Sequence, residues 1–543
     1  MRFAATASAL AGLALAIAAP AAAQTDIEVT ELGAVDPFEV DAGGSLPDTV
    51  WSSGAAESLR AVLGTLPDSR SAGWRDAAAA RLALDALLSG GDPPEGARGA
   101  HDLAAMRAGR ALAAGRAETV QRLLMRTPNL ENSALLSRLF AETSFATGRT
   151  AEACRTADAL IEGRDAPYWL RARAACLAFN GSIPAAELTA ELARAQAPNP
   201  EFDALFDALT LDTGLPEDVR PVSGLQLALA VAIAPDTRIE AGEAAPGWLK
   251  RATERTGPPF TLPETLPEAL EAAVQLEGAE REAALGALIQ QDLDRVIAAE
   301  ALAIRLEDAA AADEFVEAAL AYGPEVARLP ITADTLAHGP AFVLAALAAD
   351  DVVAAEAWRE ALMDGPPREA EPAPALQPAT VDGPADMTAP PASSADLVEA
   401  PEWTPPPART MVAIDFASAV ASGRIETDAF AALLAARIEG ATPKRLCQAA
   451  GLVALGADDG GELRAAMAGL KRDADASAPL LAPALLAAAG GALGETQLLA
   501  ARLVDLAPDN SEACAGAAFA LDRAGLRTQA LRLILEQVIE EAA

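Results

Sequence analysis

Apolar residues recur three and four positions apart along most of this chain, in runs separated by short polar turns. The clearest stretch is residues 132–197. Its spacing predicts two helical hairpins in tandem. The first has helices over 133–146 and 151–161 about the turn Thr147-Gly148-Arg149-Thr150. The second has helices over 167–179 and 184–196 about Asn180-Gly181-Ser182. Gly148 and Gly181 are about one repeat period apart. Each has an alanine seven residues before it (Ala141, Ala174) and another five after it (Ala153, Ala186). Small side chains there let the helices of a hairpin approach closely. Leu136, Phe140, Leu160, Trp169, Leu177 and Leu188 recur at helical spacing and are expected to fill the groove. A lone hairpin cannot bury its apolar face, so each needs its neighbours.

The same period continues on both sides. Helices are predicted over 51–66, 74–88, 100–114 and 117–126, with a loop over 90–99. Beyond residue 197 they are predicted over 202–211, 225–234, 268–276, 279–289, 293–305, 309–321 and 341–363, the last broken at Asp350-Asp351. Residues 241–263 are rich in Gly and Pro and read as a loop with a short helix near Trp248. Twelve prolines over 365–408 forbid persistent helix, and this segment reads as a disordered, partly polyproline linker. Trp403 within it either docks on the next helix or anchors a partner. Helices resume from residue 410, including one over 462–472. The domain reading is therefore a leader over 1–23, an extended arm over 24–50, a helical-repeat block over 51–364, a linker over 365–409 and a second helical block over 410–543. The two blocks touch, or form one continuous solenoid with a long excursion.

Here the chain resembles the tetratricopeptide-repeat family of α-solenoids. Leu506-Ala507-Pro508-Asp509-Asn510 is similar to the family's inter-repeat punctuation, and Ala518, Gly525 and Ala530 follow at the hairpin offsets. The resemblance covers about a third of the chain, and alanine, leucine or serine replaces most of the family's aromatic positions. It implies an all-α solenoid of antiparallel helix pairs, and protein binding as a class of function. The competing reading is an alanine-rich helical stack with another repeat length.

Composition supports all-α, since alanine is abundant and β-branched alternation is scarce. Arg2, the apolar run over 3–19 and the small residues Ala21 and Ala23 read as a secretory signal cleaved before Gln24, which places the protein in the periplasm. The net charge is −37, and −38 (−37 minus 1) once Arg2 is removed. Nucleic-acid binding is therefore not expected, because phosphate contacts need a basic face. No membrane-spanning run is expected in the mature chain.

Four cysteines in an exported chain suggest bridges. Cys154 and Cys176 fall at about the same height on adjacent antiparallel helices and are expected to pair. Cys447 and Cys514 can pair only if the C-terminal block curls round; otherwise they are buried small apolar residues. No metal-ligand spacing occurs, and His101 and His338 are the only histidines. Neither stands near a nucleophile motif, and no phosphate-binding loop is present, so no catalytic residue, metal or cofactor is assigned. The sequence reads as a non-enzyme, a scaffold binding another envelope protein of a motility, secretion or cell-wall assembly. A cell-wall glycan hydrolase or lyase using acidic residues is the alternative, and a structural envelope protein without a fixed ligand is a third. Basic side chains are scarce, which singles out Arg171 and Arg173 on the second hairpin, with Trp403, as partner-binding candidates.

Overall fold

Helices make up every regular element of the described residues, and many of them pack against their neighbours in sequence. The computed structural model describes residues 36–366, 403–463 and 478–543, apart from 72, 116, 259–260, 262, 264, 440, 459–460 and 462. The leader, the arm over 24–35, the segment 367–402 and, Leu463 apart, the helix expected over 462–472 lie outside the described residues. Among those described there are 25 α-helices and no strand.

The first helices are α1 (Ala56–Thr65), α2 (Ala77–Leu88), α3 (His101–Ala114) and α4 (Ala117–Arg126). Two hairpins follow, α5 (Ala134–Ala146) with α6 (Thr150–Ala159) and α7 (Pro167–Phe179) with α8 (Ile183–Gln196). Next come α9 (Pro200–Leu211), α10 (Gly224–Ile233), α11 (Gly247–Thr253), α12 (Leu266–Gln275), α13 (Gly278–Gln290) and α14 (Arg295–Ala311). The first part closes with α15 (Phe315–Val326), α16 (Ala333–Leu336), α17 (Gly339–Ala348) and α18 (Val352–Asp364). After the Pro-rich segment stand α19 (Ala408–Ala421), α20 (Asp428–Ile438), α21 (Pro443–Ala454), α22 (Ala478–Ala489), α23 (Leu493–Leu506), α24 (Ser511–Arg523) and α25 (Arg527–Ala542).

Gly148 and Gly181 are equivalent corners. Both have positive φ, 73° and 75°. At each, the glycine N–H and the next N–H reach back to carbonyls of the preceding helix: Gly148 to Phe145 and Arg149 to Ser144, Gly181 to Ala178 and Ser182 to Leu177. Gly525 repeats the pattern between α24 and α25. The paired alanines Ala141, Ala153, Ala174 and Ala186 are fully buried, as close helix approach requires. Leu136, Phe140, Leu160 and Trp169 are buried as expected, but Leu188 is 62 % exposed. The buried face of α8 consists of Ala186, Ala190 and Ala193, and Leu188 sits two residues from two of these, about 200° round the helix. A further difference concerns α14, which runs through residues 306–311 and ends where Asp313 takes φ 58°.

From Asp36 onward the arm is part of the core. Phe38, Val40, Leu46, Val50 and Trp51 are buried, so the first helix starts at Ala56 rather than at Trp51. Arg107 of α3 holds this arm. Its guanidinium is buried and donates to five carbonyls, those of Pro37, Phe38, Val40, Leu87 and Ser89, at 2.8–3.3 Å. Two of these carbonyls lie at the C-terminal end of α2, where the helix dipole favours a cation. The rings of Phe38 and Trp51 stand 5.4 and 5.6 Å from the same group. Burial pulls its pKa down to about 10, against the pull of Asp41 and Asp36.

The C-terminal helices return to the first ones. α23 packs along α2 and on α1, while α25 packs on α2, α15, α17 and α19, so residues 36–543 make one unit. Gly494 permits this approach, because a Cβ there would lie 2.4 Å from the Trp51 ring. Across the seam Arg81 pairs with Glu536 at 2.7 Å, and Gln497 donates to the Leu82 carbonyl at 2.8 Å. Two helix starts are closed by carboxylates from far along the chain. Asp505 accepts from the amides of Arg75 and Asp76, which lead into α2, and Glu540 accepts from Phe315 and Val316, the first two of α15. Amides at a helix start have no partner within the helix, and the dipole there favours an anion.

Both disulfides form. Cys154 and Cys176 join α6 to α7 with Cα atoms 5.6 Å apart. Cys447 and Cys514 join α21 to α24 at 5.4 Å, because the C-terminal block does curl round. Trp403 is occupied within the chain. Its indole N–H donates to the Leu362 carbonyl at 3.1 Å, and its side chain packs against Gly365. The chain therefore leaves α18 and comes back at the same spot. No described helix is long and apolar enough to cross a membrane.

Candidate functional site

Two neighbouring cavities line up along α3, α5 and α7, the first helices of successive pairs. The first, about 660 Å³, lies between α3, α5, α11 and the backbone of residues 68–70 and 222–223. Met106, Leu135, Leu139, Val222 and Trp248 give it an apolar wall. The Trp248 indole is fixed by donating to the Ser69 carbonyl at 2.9 Å. The second, about 500 Å³, lies between α5, α7, the start of α9 and the start of α10. Arg138, Glu142, Val222 and Ser223 border both.

Four arginines line this surface: Arg70 and Arg110 in the first cavity, Arg171 in the second and Arg138 in both. Three carboxylates join them, Asp68, Asp102 and Glu142, so the lining is +1 (4 minus 3) in a chain of −37. Asp68 lies 3.7 Å from Arg110, and Asp102 is held by Arg60 at 2.8 Å, which lowers the Asp102 carboxyl. Burial lowers the Arg110 guanidinium, and Asp68 partly restores it.

Arg138 and Arg171 are different. Neither forms a salt bridge with a described carboxylate. Arg138 is exposed and stands over the Tyr168 ring at 4.5 Å. Arg171 donates to the Ala197 carbonyl and stands 6.0 Å from the Phe202 ring. Its pKa is lowered first by burial; Asp203 opposes this, and nearby Arg138 pushes it further down. Two guanidiniums in each other's field, neither in a salt bridge with a described carboxylate, favour an anionic ligand group.

Glu142 is the buried acid of the site, 8 % exposed. Its Oε2 accepts from the amide of Gly224, the first residue of α10, at 2.6 Å. Gly224 is required there, since a Cβ would lie 2.0 Å from the Glu142 carbonyl. Burial raises the Glu142 carboxyl above its ordinary value, opposed by the Gly224 amide, Tyr168 and Arg138. The Tyr168 hydroxyl is driven well up by burial and then by the Glu142 charge.

Of the residues singled out from sequence, only Arg171 borders the site. Arg173, two positions on, faces away and donates to the Arg164 carbonyl at 2.8 Å. Trp403 packs on the end of α18, and His101 and His338 border neither cavity. Arg138, Glu142, Tyr168 and Arg110 escaped the sequence reading. One signal could have found Arg138: it stands ten residues before Gly148, as Arg171 does before Gly181.

Among the described residues no group of His, Cys, Asp or Glu is arranged to hold a metal ion. Compared with known protein families, with curated proteins and with solved structures, the chain shows no match.

Proposed function

We propose that the chain is a non-catalytic, exported binding protein of the cell envelope. In this reading its helix pairs form a tetratricopeptide-like solenoid. The surface along α3, α5 and α7 takes an extended, acidic and apolar segment of a protein partner in an envelope assembly. One observation carries the reading: Arg138 and Arg171 border one cavity, neither in a salt bridge with a described carboxylate, next to an apolar wall, in a chain of −37. Apolar side chains of the segment would enter the cavity walled by Met106, Leu139 and Trp248, and its carboxylates would meet the guanidiniums.

Peptide display on the mature chain tests this. The expected outcome is enrichment of sequences with one or two acidic residues flanked by apolar ones, lost when Arg138→Glu and Arg171→Glu are combined. No enrichment, or enrichment that the double variant retains, would leave a structural envelope protein without a fixed ligand.

A second reading, hydrolysis of cell-wall glycan, draws on Glu142, a buried acid with a raised pKa in a cavity. Such chemistry needs a second carboxylate at a defined separation. The other two acids of the lining, Asp68 and Asp102, are engaged by Arg110 and Arg60. Release of soluble glycan by wild type but not by Glu142→Gln would favour it over binding.

A further inference from the structure

The helix α8 is built inside out. Its buried face consists of Ala186, Ala190 and Ala193, and it packs chiefly on α7. Its large apolar side chains point the other way: Leu188 is 62 % exposed and Leu192 53 %. Ala185 and Ala195 are exposed as well. Positions 185, 188, 192 and 195 are spaced three, four and three apart, so they form one apolar ridge along the helix. Single exposed leucines are ordinary, but apolar residues gathered on one exposed face mark a contact surface. The repeat does not impose leucine here. Leu188 stands seven residues after Gly181; the same place after Gly148 and Gly525 holds Arg155 and Arg532, both exposed. Leu192 stands eleven residues after Gly181, where the other two hairpins have Ala159 and Glu536.

We infer that this outer face of α8 docks one amphipathic helix of a partner protein, apolar along one side and carrying Lys or Arg beside the apolar positions. A helix is the occupant that the spacing fits, because side chains three and four apart on one helix interlock with the same pattern on another. Charge decides its flank. Glu187 and Glu191 edge the ridge on one side, both exposed, while Thr189 and Gln196 edge the other. Arg194, the one base of α8, is held by Asp203 at 3.2 Å and Asp207 at 3.6 Å, and Glu191 acts on it too. These four acids and one base sum to −3 (1 minus 4). A second copy of the chain brings another −37 and an equally acidic edge, so like charges meet along the contact. A basic helix meets opposite charge there instead. No residue of α8 borders either cavity, so this surface is separate from the groove along α3, α5 and α7.

Three stapled helical peptides of equal length test this. The first carries leucines three and four apart with lysines along one flank. The second has the same residues in scrambled order, and the third has glutamate in place of lysine. Binding to the mature chain, disulfides intact, is read by fluorescence anisotropy in about 0.15 M salt, which screens bulk attraction to an acidic chain. The first peptide is expected to bind at least tenfold more tightly than either of the others. Leu188→Gln combined with Leu192→Gln, which leaves the charge and the alanine face alone, should erase that preference. Leu188→Arg, which copies the residue of the other two hairpins, should erase it by a second route. Glu187→Gln combined with Glu191→Gln should weaken the first peptide about threefold. Arg138→Glu combined with Arg171→Glu should leave its binding unchanged. Wild type that does not prefer the first peptide overturns the inference and leaves the groove standing. A preference that survives in both leucine variants, each melting as the wild type does, also overturns it. So does a wild type that sediments as a dimer while the leucine variants are monomers, because a second copy then covers the face.

Discussion

Arg138 and Arg171 occupy the same place in successive hairpins: each stands ten residues before its turn glycine, and both border the second cavity. Ala105, ten residues before Gly115, lines the first cavity from the pair before. The same offset from a glycine thus brings Ala105, Arg138 and Arg171 to this surface, although Gly115, at φ −130°, is an extended corner unlike Gly148 and Gly181.

Arg107 is the residue whose loss should be felt most by the fold. Arg107→Met keeps much of the stem while removing the guanidinium from five carbonyls. Among the described residues only those of Phe38 and Ser89 keep another donor, the Gly91 amide and the Trp51 indole. The expected cost is about 3–5 kcal/mol in chemical denaturation. Limited proteolysis should then cut within residues 40–55, which the wild type protects. A change below about 0.5 kcal/mol, the range of an ordinary surface substitution, would show that the arm does not depend on this clasp.

The two remote carboxylate caps should each contribute as local ones do. Asp505→Ala strips the acceptor from the amides leading into α2, and Glu540→Ala strips it from those of α15. Each should lower stability by about 1–2 kcal/mol. Hydrogen exchange should rise at residues 75–76 in the first variant and at 315–316 in the second. A uniform rise across the molecule would point to general loosening instead.

The disulfides close loops of different length, with sequence separations of 22 and 67 residues. Chain entropy assigns them about 3 and about 4 kcal/mol. Replacing Cys154 and Cys176 together by alanine should therefore cost slightly less than replacing Cys447 and Cys514 together. Denaturation midpoints with and without reductant would check the order. Equal or reversed losses would mean that native packing, rather than the unfolded chain, sets the effect.

The pH dependence follows from the two raised carboxyls, Glu142 and Glu495. Burial is the largest cause for both; at Glu495 the Ser58 hydroxyl opposes it. A carboxyl raised on folding binds its proton more tightly in the folded state. Stability from that protonation is full below the unfolded value, and it is lost as pH rises through the folded one. Wild type should therefore lose stability relative to Glu142→Gln or Glu495→Gln from about pH 4.5 upward, with no further change once the raised value is passed. Melting temperatures from pH 4 to pH 8 would show this; a gap independent of pH would contradict it.

The hairpins were legible in the sequence because they are local. Gly148, Gly181 and their flanking alanines lie within one period, and each small residue marks a close approach whatever surrounds it. The Cys154–Cys176 pairing was legible for the same reason. The position of Cys447 beside Cys514, by contrast, depends on how the last helices curl. Long-range features left no comparable trace. Arg107 resembles any helical arginine until the arm is laid across it. Nothing in the sequence marks Asp505 or Glu540, since the amides they cap are hundreds of residues away. Nothing marks Glu142 either, because α10, which starts at Gly224, meets it from over eighty residues away. Leu188 misled in the other direction: helical period alone does not say which side of α8 the neighbours occupy.

The contact between Trp403 and Gly365 fixes both exits of the Pro-rich segment at one point, while α2 with α23 and α17 with α19 hold the two sides together without a covalent link, by packing, hydrogen bonds and ion pairs. A chain cut between Pro366 and Trp403 should therefore still run as a single particle, held by the contacts on either side of the cut.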